Sequence, residues 1–326
     1  MPLKTVVKIA VAALILYVIA GRVDFAAAFE LMCSADPLWL LAALGASLLI
    51  IVADAAYWSQ SMTPAGLTMR FRTAMLFGIV GWFFVNIAPS TVGADLFRVA
   101  QMRAAGATTA RSIRLVAAAR LMSFAALIAV IGLGLPYVVN ALEAPRDRLA
   151  LAAVFAAALA AFAGLVVGGP LIARAPARFR RGPLAFAAEL SGDVRMLLTK
   201  TTPGGWFFLT VQHFLRAGAV LCIGAALGLA FDPIALLALL PAAFLVAMVP
   251  ISFGAWAVRE ASFVYFLGAA GIAAPAALAM SIIFGLTRVV IGAAGGLIWV
   301  LTRAEHFKIA VDADKAPAED DVRSTA

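Results

Sequence analysis

Long apolar stretches recur along the chain and alternate with short polar segments. Six of these stretches have about the 20 residues or more that an α-helix needs to cross a bilayer, namely 3–21, 38–58, 115–135, 149–172, 206–230 and 275–301. They lack the alternation of apolar and polar residues that is typical of membrane β-barrel strands. Because a chain in hydrocarbon must satisfy its own backbone hydrogen bonds, the pattern predicts an all-α integral membrane protein with about six full spans.

A further apolar stretch, 73–88, is too short to cross. A helix from Thr73 to Asn86 would reach about 21 Å at 1.5 Å per residue, whereas the hydrocarbon core is about 30 Å thick. The stretch ends at Pro89, and a full crossing would leave the arginines that follow on the outside, against the preference of Lys and Arg for cytoplasmic segments. We therefore predict a re-entrant helical hairpin over 73–105 that enters from the cytoplasm.

The same arrangement returns later in the chain. Residues 234–249 are apolar and are followed by Pro250 and by a second short helical stretch that ends near Leu267. We predict a second re-entrant hairpin over 234–268, which enters from the outside. Irregular backbone at membrane depth is tolerated where it lines a cavity, and transporters place substrate sites at such broken helices.

The two breaks also resemble each other in sequence, because each contains a proline, a Gly-Ala pair and an arginine. These residues lie at one constant offset, at Pro89, Gly93-Ala94 and Arg98 and then at Pro250, Gly254-Ala255 and Arg259. Glycine and alanine are common in this chain, so a chance match is the alternative explanation. Since both copies fall on the two short stretches and enter from opposite sides, we predict an inverted-topology repeat.

Composition and charge place the protein in a membrane. Hydrophobic residues make up 64% of the 326 residues and charged residues 13%, whereas soluble domains carry about 25% charged residues. The net charge of +8 gathers beside the predicted spans, at Lys4, Lys8, Arg70, Arg72, the stretch 174–200, Arg303 and Lys308. Positive charges in these places indicate membrane topology and anionic headgroups, and we expect no nucleic-acid partner.

The same charge distribution predicts a multi-pass protein of the bacterial cytoplasmic (inner) membrane with both termini in the cytoplasm. We assign residues 1–303 to one membrane domain that includes a cytoplasmic basic loop over 173–205. Residues 304–326 are predicted to form a disordered cytoplasmic tail. A signal peptide is the alternative reading of the first span, since an alanine triplet at 26–28 follows its apolar core.

Eight ionisable residues lie within or beside the apolar segments, where a charge is costly and usually functional. They are Asp54, Asp95, Arg98, Arg120, Arg216, Arg259, Glu260 and Arg288. Five arginines against three acids leave about two positive charges, which are expensive to bury without a ligand. Arginine binds phosphate or carboxylate with two hydrogen bonds, so the set predicts a site for an anion such as a phosphate headgroup.

Two interpretations without a ligand stay open. Arg120 and Arg288 would pair with Asp95 and Glu260 for stability alone, since intramembrane charges often pair in this way. Asp54, near the cytoplasmic end of its span, would simply face the headgroups.

The chain contains no motif that is typical of metal binding or of catalysis. With two histidines and no CxxC or HxxxH spacing, we expect no metal site. The chain lacks GxxxxGK[ST], a Ser-His-Asp set and a pair of catalytic carboxylates, so we expect no cofactor and no enzyme activity. Small-xxx-small pairs predict close helix packing without chemistry, at Gly164/Gly168, Gly224/Gly228 and Gly292/Gly296.

Residues around the two breaks resemble the signature segments of a known family. The first segment has Asn86, Pro89, Gly93 and Arg98, and the second has Pro250, Gly254, Arg259 and Glu260. They are similar to the motifs of the flippase-like family named after the transmembrane region of lysylphosphatidylglycerol synthase. Trp256 departs from the second motif, which often has glycine there. The resemblance covers the chain from the first span to about Leu301.

The resemblance implies lipid translocation, with the motif residues lining the path. Together with the intramembrane charges it yields the expected substrate-binding residues, which are Asn86, Pro89, Gly93, Asp95, Arg98, Arg120, Arg216, Gly254, Arg259, Glu260 and Arg288. The expected function is a flippase or transporter that moves a polar or anionic lipid (phospholipid, polyprenyl-linked or hopanoid-type) between leaflets. Only a short tail follows Leu301, so we expect no lysyl-lipid synthesis by this chain. A non-transporting scaffold for lipid or envelope-glycan biosynthesis enzymes is the alternative.

Overall fold

The computed structural model of the protein describes residues 23–87, 92–141, 144–174, 176, 182–248, 257–301 and 310–311. Within these ranges the chain forms eleven α-helices. Numbered in chain order, they are α1 (Phe25–Cys33), α2 (Pro37–Ser61), α3 (Phe71–Ile87), α4 (Gly93–Ala104), α5 (Thr109–Ala141), α6 (Pro145–Ala173), α7 (Pro183–Lys200), α8 (Pro203–Ala226), α9 (Pro233–Ala247), α10 (Val258–Ala269) and α11 (Ala274–Leu301). A 3₁₀ turn, Thr63–Ala65, leads to β1 (Leu67–Thr68), which pairs antiparallel with β2 (Ala310–Val311).

Five of the described helices are long and apolar enough to cross a membrane, and they confirm an all-helical multi-pass membrane protein. These candidate spans are Pro37–Ser61, Thr109–Asn140, Arg148–Ile172, Pro203–Ala226 and Ala274–Leu301. Each coincides with one of the apolar stretches that the sequence predicts as a span. The remaining predicted span, 3–21, lies outside the described residues.

Local sequence explains where three of the helices begin. The starts of α2, α8 and α9 have proline at the first helical position, where its missing N–H costs nothing and its fixed φ suits a helix. The preceding side chain accepts a hydrogen bond from a free backbone N–H in each case. Asp36 accepts from Leu38 at 2.8 Å, and Asp232 accepts from Ile234 at 2.9 Å.

The two short apolar stretches form α3 and α9. Helix α3 has 17 residues and α9 has 15, which correspond to about 26 and 22 Å and are shorter than the hydrocarbon core. Each packs against the 12-residue helix that follows it, α4 or α10. Residues 88–91 and 249–256 between these helices lie outside the described residues, and with them the predicted breaks at Pro89, Pro250 and Gly254.

The two halves of the molecule pack reciprocally. Short helix α3 of the first half lies against long helix α11 of the second, and short helix α9 of the second lies against long helix α5 of the first. Both 12-residue helices end in a turn with a left-handed glycine, Gly106 (φ 98°) and Gly271 (φ 81°). Helix α2 precedes the short pair α3–α4, and helix α8 precedes the short pair α9–α10. Helices α2 and α8 pack extensively against each other.

The two arginines that match in sequence occupy different positions in their helices. Arg98 and Arg259 share one offset in sequence but not one place in the fold, since Arg98 is the sixth residue of α4 and Arg259 the second of α10. Asp95 and Glu260, by contrast, are each the third residue of their helix. The reason is the length of the breaks, because five residues separate α3 from α4 and ten separate α9 from α10.

Contacts between segments far apart in sequence define one end of the molecule. The β1–β2 pair joins Leu67, after α2, to Val311, after α11. Arg111, at the start of α5, donates a 2.9 Å hydrogen bond to the carbonyl of Ala65. These are segments that the charge pattern assigns to one side of the membrane.

The opposite end is defined in the same way. The backbone N–H of Asp36, before α2, donates to the carbonyl of Ala226 at the end of α8, at 2.8 Å. Tyr137, near the end of α5, donates a 3.2 Å hydrogen bond to Asp232, just before α9. These segments likewise share one side in the predicted topology.

The basic segment 173–205 contains a helix, α7, that packs on α5 and α6. Ser191, Val194 and Leu197 form its buried stripe. The buried Arg114 of α5 pairs with Glu189 and, at 3.0 Å, with Asp193. Burial raises the pKa of the Asp193 carboxyl, against the opposing effect of Arg114. The segment therefore contains a docked amphipathic helix.

The predicted small-residue contacts differ from one pair to the next. A Cβ added at Gly292 or Gly295 would meet α3, and at Gly295 it would lie 2.2 Å from the carbonyl oxygen of Ile79. Gly224 faces the ring of Phe231, while no described atom lies within 4 Å of a Cβ added at Gly164 or Gly168. Close packing through glycine is thus seen at the α3–α11 contact but not at Gly164 or Gly168, whereas Gly169 of α6 lies against Ser191 of α7.

Candidate functional site

A cavity of about 300 Å³ lies where the two halves meet, lined by apolar and charged residues of α2, α3, α4, α5, α8, α9, α10 and α11. All five of the predicted intramembrane arginines line it: Arg98, Arg120, Arg216, Arg259 and Arg288. They come from five different helices, and tertiary packing brings them into one site. Asp54 and Asp95 also line the cavity. Glu260 does not line it but contacts Arg259, which does.

The first half contributes a network of two arginines and two aspartates. Arg98 contacts Asp54 at 2.5 Å and Asp95 at 3.8 Å. Asp95 also forms an ion pair with Arg120, whose side chain is 44% exposed. The guanidinium of Arg98 lies 4.7 Å from the ring centroid of Trp58, a cation–π distance. This network is the more accessible part of the site.

The second half contributes a sealed cluster. Arg259 contacts Glu260 at 2.5 Å and donates to Ser281 at 3.1 Å. The other carboxylate oxygen of Glu260 accepts from the backbone N–H of Ala257, which has the left-handed φ of 73°. Arg259 and Glu260 are each 3% exposed. A buried pair of this kind is tolerated only when its remaining hydrogen-bonding groups are also satisfied.

Arg216 is held by neutral groups of its own helix. It lies 3.3 Å from the amide oxygen of Gln212 and 3.2 Å from Nδ1 of His213. Since a guanidinium can only donate, Nδ1 of His213 accepts, and Nε2–H donates to the carbonyl of Ser123 at 3.1 Å. This assignment makes His213 a neutral imidazole that orients Arg216 without balancing its charge.

Arg288 lies midway along α11, where Trp82 of α3 is its aromatic neighbour at 5.9 Å. Among the described residues, no carboxylate lies within 4 Å of Arg288 or of Arg216. The alternative pairing of Arg288 with Glu260 is therefore wrong, because Glu260 is engaged by Arg259. The pairing of Arg120 with Asp95 is confirmed.

The remaining predicted site residues do not line the cavity or lie outside the described residues. Asn86 does not line the cavity, and its side-chain amide donates to the backbone carbonyl of Arg288 at 3.0 Å. Gly93 is buried at the start of α4. Pro89 and Gly254 lie outside the described residues.

Several cavity residues escaped the sequence analysis because they are neutral or aromatic. They are Tyr57, Trp58, Trp82, Ser123, Gln212 and His213. One signal was available, since Tyr57 and Trp58 follow Asp54 by three and four residues and so share its helical face. Asp54 itself does not simply face headgroups, because it pairs with Arg98.

The cavity offers donors for an anion and little for a metal. Among the described residues, no group of three or more His, Cys, Asp or Glu side chains is placed to hold a metal ion. Guanidinium groups, by contrast, suit the oxygens of phosphate or carboxylate.

Fold and site together describe an all-helical multi-pass membrane protein with a cationic cavity between two similarly packed halves. The model of the family described as "Lysylphosphatidylglycerol synthase TM region" matches residues 5–296, so the chain belongs to this family. Members are membrane domains associated with lipid modification or flipping. No curated protein matches the sequence.

Proposed function

We propose that this protein is a lipid flippase or transporter that moves a polar or anionic lipid between leaflets. The observation that carries the proposal is the meeting of five arginines on one cavity, which two carboxylates line while a third, Glu260, pairs with Arg259. Such an excess of positive charge is costly in a membrane interior unless an anion or water compensates it. A lipid phosphate supplies that anion.

The size of the cavity suits a headgroup. Its volume of about 300 Å³ is at the lower limit for small-molecule sites, which range from about 300 to 1,000 Å³. A complete lipid with two acyl chains exceeds this space. The chains would therefore remain in the bilayer while the headgroup passes through the polar interior, which avoids exposing the headgroup charge to hydrocarbon.

The proposed architecture has six spans and two re-entrant hairpins in an inverted-topology repeat, with both termini in the cytoplasm of a bacterial cell. Its support is the reciprocal packing of α3 on α11 and of α9 on α5. Further support comes from the two ends of the molecule, where the segments that meet are those that the charge pattern assigns to one side. Inverted repeats place substrate sites at their interface, where this cavity lies.

We further propose that the protein transports without catalysing a reaction. Its polar groups are arranged as donors to an anion, and no nucleophile with an adjacent base was identified among the cavity residues. Partners that synthesise lipids would supply or consume the transported molecule on either side.

Reconstitution into vesicles tests the proposal. Vesicles that contain fluorescently labelled phosphatidylglycerol would be treated with an impermeant quencher, which reports the label that reaches the outer leaflet. The protein should accelerate this exposure. Arg98→Gln should slow it about tenfold or more, since it removes charged hydrogen bonds worth about 1.5–3 kcal/mol each, while Arg103→Gln on the exposed face of α4 should not.

Each outcome decides between the two functions. Loss of transport in Arg98→Gln, with an unchanged melting temperature, supports the flippase. If the wild-type protein leaves lipid sidedness unchanged for anionic and polar lipids alike, the flippase proposal is wrong. A scaffold for lipid or envelope-glycan enzymes would then be the better account of the buried charges.

A further inference from the structure

We infer that the cavity selects a headgroup with a terminal phosphate that carries two negative charges, a phosphate monoester, over a phosphodiester that carries one. The inference deepens the proposed function and rests on it. It starts from the balance of charge in the cavity and from the hydrogen-bond donors that the protein leaves unused.

When each carboxylate is matched with one arginine, two guanidinium groups remain without a carboxylate. Asp54, Asp95 and Glu260 are matched by three arginines that contact them: Arg98, Arg120 and Arg259. Arg216 and Arg288 have no carboxylate within 4 Å among the described residues. The two undescribed breaks, 88–91 and 249–256, contain no ionisable side chain that would alter the count.

Neutral neighbours orient the two excess arginines but do not offset their charge. Gln212 and His213 accept hydrogen bonds from Arg216, with His213 in its neutral form. The face of Trp82 lies beside Arg288, and a cation–π contact is weaker than a charge-assisted hydrogen bond. A ligand with two negative charges would bring the cavity to neutrality, whereas a singly charged ligand would leave one half-buried cation uncompensated.

Unused donors in the cavity wall point to the same ligand. The hydroxyl of Tyr57 and Nε of Arg98 are buried without a hydrogen-bond partner, and both residues line the cavity. Tyr57 is 1% exposed, so bulk water cannot readily satisfy its hydroxyl. A terminal phosphate presents three acceptor oxygens, one more than the two non-bridging oxygens of a diester, and would satisfy more of these donors once its binding moves the side chains that cover them.

Binding to the purified full-length protein in detergent tests the inference. The probes are short-chain phosphatidate, which has a terminal phosphate, short-chain phosphatidylglycerol, which has a diester, and short-chain phosphatidylcholine, which has no net charge. At about pH 8 the phosphatidate carries close to two charges, since the second phosphate pKa is about 6. We expect phosphatidate to bind at least about tenfold more tightly than phosphatidylglycerol by calorimetry, as one further charge-assisted contact would give.

Four variants separate the charge effect from a loss of folding. Arg288→Gln and Arg216→Gln should each bring the affinity ratio of phosphatidate to phosphatidylglycerol close to one, because a single excess charge remains. Arg288→Lys keeps the charge and should retain most of the ratio. Arg103→Gln, on an exposed surface, should leave the ratio unchanged, and melting temperatures monitor folding in all cases.

The outcomes distinguish this inference from the proposed function. Equal binding of phosphatidate and phosphatidylglycerol overturns the preference for two charges while the flippase proposal stands. Equal binding of all three lipids, with no transport in vesicles, overturns both. Glycerol 3-phosphate is the soluble probe, and if it binds as tightly as phosphatidate the site recognises a free phosphate compound and the lipid source is wrong.

Discussion

Asp95 and Glu260 occupy the same position in their helices, and each interacts there with both the helix N-terminus and an arginine. Both are third residues of their helices, α4 and α10, where a negative charge interacts favourably with the helix N-terminus. Both also contact arginines of the cavity. The acids therefore join the starts of the two short helices to the site, and the loss of either should affect stability as well as binding.

Glu260→Gln should destabilise the protein strongly. It would leave Arg259 charged, buried and without its carboxylate, and breaking a buried pair in this way costs about 3–5 kcal/mol. Thermal unfolding in detergent measures the effect. Glu189→Gln is the matched control, because Glu189 is 53% exposed in its pair with Arg114 and exposed pairs contribute about 0–1 kcal/mol.

Removing both charges at once provides a second check on this pair. The double variant Arg259→Met/Glu260→Leu should melt higher than Glu260→Gln, because it leaves no unpaired buried charge. Equal melting temperatures for Glu260→Gln and Glu189→Gln would contradict the assignment of Arg259–Glu260 as a sealed pair.

At the scale of helices, the contact between α3 and α11 depends on glycine. Gly295→Ala should destabilise the protein by about 1–3 kcal/mol, as overpacking does, because the new methyl group would lie 2.2 Å from the carbonyl oxygen of Ile79. Gly164→Ala has open space around it and should be neutral or stabilising by up to about 1 kcal/mol through helix propensity. Unfolding in detergent compares the two, and a similar response would argue against close backbone contact of α3 with α11.

Helix α7 is attached to the bundle through one buried arginine. Arg114→Gln removes two charged contacts to α7, of which the one to the largely buried Asp193 is worth about 1.5–3 kcal/mol and the one to the exposed Glu189 about 0–1 kcal/mol. The amides of α7 should then exchange with deuterium at least about tenfold faster, while those of α2 keep their rates. The pKa of Asp193, already raised by burial, should rise further without Arg114 to oppose it.

The control for α7 is Arg195→Gln, which changes an exposed residue of the same helix. Its exchange rates should match those of the wild-type protein. If Arg195→Gln loosens α7 as much as Arg114→Gln does, the ion pairs with Glu189 and Asp193 are not what holds the helix.

At the scale of the whole molecule, the reciprocal packing of the two halves predicts that they have opposite orientations. In a background with Cys33 and Cys222 replaced by alanine, single cysteines at Thr108→Cys and Ala273→Cys mark the turns after α4 and α10. Both positions are exposed. An impermeant maleimide added to intact cells should label Ala273→Cys, whereas Thr108→Cys should react only after the membrane is opened.

The sidedness of labelling decides the topology directly. Labelling of both positions from one side would contradict the inverted repeat, whatever the protein transports. Labelling from opposite sides, together with charge selectivity in the binding assay, would connect the architecture to the function.

The membrane class and the position of every described candidate span follow from sequence alone, because a bilayer demands long apolar helices. The shortness of α3 and α9 was predictable for the same reason. Helix α7 was not, since an amphipathic helix with one buried stripe lacks a long apolar run. The neutral cavity residues Tyr57 and Ser123 were also missed, because their polarity is ordinary and only their location makes them important.

Sequence by itself determined that about two positive charges would be left over among the residues at membrane depth, since counting charges requires no coordinates. Tertiary structure decided which arginines those are. Glu260 engages Arg259 next to it in the chain, and Asp95 engages Arg120 from another helix. Arg216 and Arg288 consequently carry the excess, because hydrogen bonds and ion pairs depend on distances of a few ångströms that only the packing of the helices sets.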